Sequence, residues 1–236
     1  MRGWPTQYNS FVQSFSIGLP DSLEPANRSA TSFYRVFNVD FKKGGRLVGH
    51  WIFNIKRKDR HRLILNGEQA TELDYESMYA HLLYSLAGFN YHDLNHDGDP
   101  YLLENFERAL GKWGFHIALN SRKTRGFPRA LKNRLREDGW SEEALRGFNG
   151  AHLLHEILQK HKPVERLLFN QTNGNRCAYL DSMLIQNVLS HYLDWKVPVL
   201  PMHDGVITTV SERDRLKGVM EHEAERFLKS VPVVEI

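Results

Sequence analysis

"ATELDYESMYAHLLYS" (residues 70–85) joins two hydrophobic periodicities with no spacer between them. The run "RLILNGEQATELDY" (62–75) reads as strand, Asn-Gly turn, strand. From Ser77 to Ala87, Met78, Leu82, Leu83 and Leu86 recur at helical spacing. Asp74 therefore lies on the seam between a strand and a helix. Its ordinary reading there is a cap or turn residue. A second reading exists, because a carboxylate among apolar strands needs its charge compensated, and a divalent cation does that.

Upstream of the seam, "RVFNVDF" (35–41) alternates like a strand, Gly44-Gly45 breaks it, and "RLVGHWIF" (46–53) suggests another. Residues 1 to about 30 are rich in Ser, Asn and Pro and read as a tail or connector. Downstream, a polar loop "NYHDLNHDGDP" (90–100) precedes a helix that Pro100 opens and that runs to about Asn120. Residues 128–161 and "AYLDSMLIQNVLSHYLDW" (178–195) are helical in pattern. "VPVLPMHDGVITTV" (197–210) reads as two short strands meeting at His203-Asp204-Gly205, followed by a helix over roughly 211–229 and a terminal "VPVVEI". Strands first, then helices, then a hairpin and a helix make the expected class α+β.

Composition sets outer bounds. The 236 residues are 41% hydrophobic and 25% charged, which suits a globular core. No run of 18 apolar residues is present, which argues against a membrane-spanning helix, and no basic-then-apolar leader opens the chain, so a cytoplasmic protein is expected. The single cysteine, Cys177, excludes internal disulfides and Cys-rich zinc sites and reads as a small buried hydrophobe. Net charge is only +3, yet Arg122, Lys123, Arg125, Arg129, Lys132, Arg134 and Arg136 follow one another without an acid between them. Lys56, Arg57, Lys58, Arg60 and Arg62 form a second basic group around Asp59. Such patches suit a polyphosphate partner, or else a solvated helix face.

Two further elements bear on Asp74. Asp204 is the second carboxylate at a special place, a hairpin tip between apolar strands. "ENFERALGKWGFHIALN" sets Arg108, Lys112, His116 and Asn120 at successive i, i+4 positions, one polar stripe of a helix. Arg and Lys one turn apart can bind a triphosphate, although such pairs are also frequent on solvated faces.

Taken in order, "LDYESMYAHLLYSLAG", "RALGKWGFHIALN" and "LPMHDGVI" resemble motifs A, B and C of family A DNA polymerases, with a more distant resemblance to single-subunit phage-type RNA polymerases. "GGRLVGHWIFNI" is similar to the Gly-Arg-Leu segment ahead of motif A, and the resemblance covers roughly residues 33–210. It implies a polymerase-like palm, a small antiparallel sheet backed by helices, with a helical fingers-like subdomain. The palm would be 31–90 and 170–236, the fingers-like insertion 91–169, after the 1–30 connector.

The resemblance also implies roles. Asp74, Asp204 and the backbone carbonyl of Tyr75 would hold two Mg²⁺ or Mn²⁺ ions. Arg108 and Lys112 would grip the incoming dNTP, with Lys112 protonating the departing pyrophosphate and His116 and Asn120 completing the nucleotide-binding face. Tyr79, five residues after Asp74, would exclude a ribose 2′-hydroxyl, or else is a core aromatic. Arg46 and His203 would meet the primer-template, as would Arg122, Lys123, Arg125, Arg129 and Lys132. The implied activity is a template-directed nucleotidyltransferase, a compact DNA-directed DNA polymerase core of a phage or mobile element. An RNA-synthesising or primase-like enzyme and an inactive nucleic-acid-binding relic are the alternatives.

The pattern departs from the family at two positions, where Gly205 stands for the motif C Glu and Asn120 for the motif B Tyr. With some 30 residues ahead of the resemblance, an accessory protein supplying a thumb or processivity is a further expected partner. Separately, Asp93, Asn95, Asp97, Gly98 and Glu104 match the spacing of a calcium loop, or form an acidic surface loop.

Overall fold

Asn66 and Gly67 both adopt positive φ, 50° and 85°, and close the two-residue turn that an Asn-Gly pair favours. The computed structural model describes residues 3–20, 28–38, 40–94, 98–228 and 231–235. The chain forms two compact units, Met1–Met78 with Ala178–Ile236, and Tyr79–Cys177. In chain order the elements are α1 (Trp4–Val12), β1 (Ile17–Gly18), β2 (Tyr34–Phe37), β3 (Gly44–Val48), β4 (Ile64–Leu65), β5 (Glu68–Tyr75), α2 (Met78–Leu86), α3 (Tyr91–Leu94), α4 (Arg108–Asn120), α5 (Phe127–Glu137), α6 (Glu142–Gly147), α7 (Gly150–Lys160), α8 (Gln171–Trp195), β6 (Val199–Met202), β7 (Gly205–Thr209), α9 (Arg213–Leu228) and β8 (Val234–Glu235). The class is α+β, and every strand pairing described is antiparallel.

The first unit is built on a sheet of order β1-β4-β5-β7-β6, with β8 added to β5. Every residue of β6 and β7 is buried, so these strands are covered on both faces. Leu73, Val206, Ile207, Leu200 and Val199 form the centre of that core. The Tyr75 hydroxyl donates to the Met220 carbonyl at 2.6 Å and ties the end of β5 to α9. A separate two-stranded ribbon, β2–β3, is held to α8 by Arg35, which donates to Ser182 and Gln186 at 2.6 Å each.

The N-terminal stretch differs from the tail expected of it. Trp4, Tyr8 and Phe11 fall on one face of α1, which buries Tyr8, Phe11 and Val12, and Phe15 is buried just past its end. The Tyr8 hydroxyl donates to the Val199 carbonyl at 2.8 Å and its ring lies 5.6 Å from Phe33. Burial of one such aromatic stabilises by roughly 1.5–3 kcal/mol. The Ser, Asn and Pro content obscured an aromatic spacing of four and three.

In the second unit, α4 packs through Gly111, Gly114, Phe115 and Leu119. A Cβ at Gly114 would collide with Ile157 of α7, and one at Gly111 with the Tyr101 carbonyl. That close approach explains why the helix begins at Arg108 rather than Pro100. Residues 101–107 fold back along its first turn, and Asp99 Oδ1 accepts from the Tyr101 N–H at 2.8 Å. The helical stretch expected over 128–161 is three helices. Gly139 (φ 90°) ends α5, and Ser141 caps α6 by accepting from the Ala144 N–H.

Candidate active site

The antiparallel register sets the site of the first unit. Leu73 pairs with Val206 and Asp74 with Gly205, so the carboxylate at the end of β5 stands beside the β6–β7 turn. That turn has two central residues, His203 and Asp204, because Met202 pairs with Gly205. His203 takes φ 59°, a region that a non-glycine residue enters at a cost of order 1–3 kcal/mol. The hairpin thereby presents Asp204 next to Asp74. A Cβ at Gly205 would lie 2.8 Å from the Leu73 carbonyl and 3.2 Å from Asp74 Oδ1, so this position admits glycine because the strands approach so closely.

The charges here are poorly compensated. Asp74 Oδ1 is buried with no hydrogen-bond partner among the described residues. Burial, then the charges of Asp204 and Glu72, push the Asp74 carboxyl up to about 7, against a weaker pull from Arg57. Glu72 pairs with Arg60 at 2.7 Å, and burial still raises its carboxyl. The basic turn Arg57–Arg62 thus borders the carboxylates from the same unit. At the other strand edge, β8 sets Glu235 directly across from Asp74.

Arg46 pairs with Asp181 of α8, 2.7 Å from Nε and 2.5 Å from a terminal nitrogen to the same Oδ2. Burial, partly offset by Arg46, pushes the Asp181 carboxyl up to about 7, and Asp204 adds to the rise. His203 is exposed, and partial burial together with Arg46 lowers its pKa against the opposing effect of Asp204. The Tyr75 side chain is committed to the core, so the ligand role expected of it concerns its backbone carbonyl alone.

The second unit carries the helical stripe. Arg108 pairs with Asp99 and lies 5.7 Å over the Tyr101 ring. The Tyr101 hydroxyl is 3.4 Å from His116 Nε2, and the Tyr79 ring is 5.3 Å from that of His116. Asn120 donates to the His116 carbonyl at 2.9 Å. Lys112, His116 and Asn120 line a cavity of about 450 Å³ between α4 and α5, together with Trp113 and Arg134. The Arg134 guanidinium lies 4.7 Å over the Trp113 ring. Cationic and aromatic lining at this volume suits a nucleotide-sized ligand. Arg122, Lys123, Arg125, Arg129 and Lys132 are all exposed, while Phe127, Leu131 and Leu135 bury the opposite face of α5.

The expected residues therefore fall into two groups. Asp74, Tyr75, Arg46, His203 and Asp204 belong to the first unit, and Tyr79, Arg108, Lys112, His116, Asn120 and the basic segment to the second. The calcium-loop positions Asn95 and Asp97 lie outside the described residues. Asp181, Glu235 and the Trp113–Arg134 pair were not singled out from sequence. Only the aromatic-cationic pair had a signal there, a Trp next to Lys112 of the polar stripe.

Among the described residues, no three His, Cys, Asp or Glu side chains converge in a metal-binding cluster. Two carboxylates, one with a buried unpartnered oxygen, fit a hard cation that takes its remaining ligands from water and phosphate. Among the described residues, no helix is long and apolar enough to cross a membrane.

No protein-family model matches the chain, and no curated protein does. Among solved structures, it is similar to the POL domain of Pol1 from M. smegmatis in complex with DNA primer-template and dNTP. The TM-score is 0.45 at 12% identity, over 86% of this chain and 46% of that one.

Proposed function

We propose that the chain is a template-directed nucleotidyltransferase, a DNA-directed DNA polymerase core that uses two divalent cations. The observation that carries this reading is the carboxylate pair Asp74 and Asp204, brought together by strand register with one buried oxygen unpartnered. Such a pair is costly unless a cation binds it. The order of the three sequence motifs supports the same reading.

In this proposal, Asp74, Asp204 and the Tyr75 carbonyl hold Mg²⁺ or Mn²⁺. Bound ions supply activation of the primer 3′-hydroxyl and charge neutralisation at the α-phosphate. Lys112 is the principal cation for the triphosphate, since Asp99 already neutralises Arg108. Tyr79, braced by His116, disfavours a ribose 2′-hydroxyl. Arg46, His203 and the exposed α5 face bind primer-template. The palm would comprise 31–90 and 170–236 and the fingers-like part 91–169; the compact units divide instead at 78/79 and 177/178, which puts 79–90 and 170–177 in the second unit.

Primer extension by the purified chain tests the reading, with Mg²⁺ or Mn²⁺ and dNTPs against NTPs. Template-dependent extension with dNTPs is expected, lost in both Asp74→Ala and Asp204→Ala. Extension that survives either substitution sinks the site assignment. DNA binding with no metal-dependent extension identifies a non-catalytic binder instead.

A further inference from the structure

Asp181 is 0% exposed on α8, and one of its two oxygens does all of its pairing. Oδ2 accepts twice from Arg46, while Oδ1 is buried with no hydrogen-bond partner among the described residues. A buried carboxylate loses hydration worth several kcal/mol, and a pair is a weak source of stability unless its remaining lone pairs are satisfied. Those of Oδ1 are not.

Docking the β2–β3 ribbon onto α8 does not explain the charge either. Arg35, on the neighbouring strand, achieves that docking with neutral acceptors on α8, Ser182 and Gln186, each at 2.6 Å. A third-ligand role is also unsupported, since no three ligating side chains converge among the described residues. What the ion pair achieves is a fixed direction for one guanidinium. Two donors of a planar fork anchored on one oxygen leave Arg46 little rotational freedom.

That direction matters because of the neighbours. The charge of Arg46 reaches His203, and that of Asp204 reaches Asp181, so the pair lies beside the hairpin tip that carries both. Arg46 keeps 31% of its side chain exposed there.

We propose that Asp181 is a positioning residue that aims Arg46 at the 3′-terminal nucleotide of a nucleic-acid strand presented beside Asp204. The inference rests on the polymerase reading for its ligand, a recessed 3′ end. Arg46 binds that end directly, and Asp181 acts only through Arg46.

A double-mutant cycle on primer-template binding tests it, read by anisotropy of a labelled DNA with a recessed 3′ end, against a blunt duplex. Asp181→Leu is expected to fold with a thermal midpoint near that of the wild type. It should weaken binding to the recessed end about tenfold, the scale of one charge-assisted hydrogen bond, and leave the blunt duplex unchanged. Arg46→Ala should do the same, and the double variant should be no weaker than either single one. Should Asp181→Leu fail to fold, Asp181→Asn carries the comparison, and restoration of binding by Asp181→Glu supports the assignment.

Additive effects, or an Asp181 variant that binds like the wild type, overturn the inference even if the wild type extends primers. Coupled effects in a protein that extends nothing overturn the polymerase reading and leave Asp181 in its role. A wild type that binds neither DNA overturns both.

Discussion

Asp74 faces Gly205 across the β5–β7 ladder, and the missing side chain of the one makes room for the carboxylate of the other. Gly205→Ala would place a methyl 2.8 Å from the Leu73 carbonyl, which has no flexible end to yield. The substitution should cost roughly 1–3 kcal/mol of stability by overpacking and displace Asp74. Urea denaturation checks the first part, and metal-dependent extension, expected to fall together with stability, checks the second. Unchanged stability and extension would remove the close approach from the account of the site.

Asp74 should also be a destabilising residue when no cation is present. Its carboxyl is raised to about 7, so the folded chain holds that proton more tightly than the unfolded one does. Stability from this group is present at low pH and is lost as pH rises from about 4 to about 7. At pH 8 without divalent metal, Asp74→Asn should raise the thermal midpoint by about 2–4 °C, the effect of ~1 kcal/mol in a chain of this size. Added Mn²⁺ should raise the midpoint of the wild type and leave that of Asp74→Asn almost unmoved. Equal Mn²⁺ responses would mean that the ion binds elsewhere.

Glu235 supplies a related test from the other side of β5. Like charges directly opposite on neighbouring strands destabilise by roughly 0.2–1 kcal/mol, and Glu235 pairs in register with Asp74. Glu235→Gln should therefore stabilise the metal-free protein by that amount at pH 8. In Asp74→Asn the gain should vanish, because the opposing charge is already gone. A gain that persists there would place its origin outside the pair.

These relationships differ in how visible they are in the sequence. Asp74 stands out because it lies at the end of a strand with strong periodicity, Asp204 because it sits at a hairpin tip between apolar strands, and the Asn-Gly pair fixes the register between β4 and β5. Lys112, His116 and Asn120 could be found from a spacing of four. Glu235 could not, since β8 is two residues long and its meaning comes from a partner more than 150 positions away. Asp181 could not either. An acid on an amphipathic helix reads as solvated, and only the tertiary fold shows that it is buried against Arg46. The helix start at Arg108 was missed because its cause, the Tyr101 carbonyl pressed on Gly111, is a packing contact and not a propensity.

The second unit should be acid-sensitive through His161. This buried ring lies between two partners, 3.0 Å from the Pro100 carbonyl through Nε2 and 3.3 Å from the Tyr84 hydroxyl through Nδ1. The carbonyl can only accept, so Nε2 carries the hydrogen and Nδ1 accepts from Tyr84. Protonation of Nδ1 would take away the acceptor that Tyr84 uses and place a positive charge in a buried site. Burial, only partly offset by Pro100, lowers the ring to about 4. The unfolded chain, at an ordinary 6.5, then binds more protons than the folded one between those values. Stability from this group is complete above pH 6.5 and is lost as pH falls toward 4, by on the order of 3 kcal/mol. His161→Gln can keep the donor to Pro100 but cannot charge. Its urea midpoint should lie below that of the wild type at pH 7.5 and fall less between pH 7 and 4.5. Parallel pH curves for the two proteins would assign the acid sensitivity to His81, whose ring is also buried and lowered, to about 3.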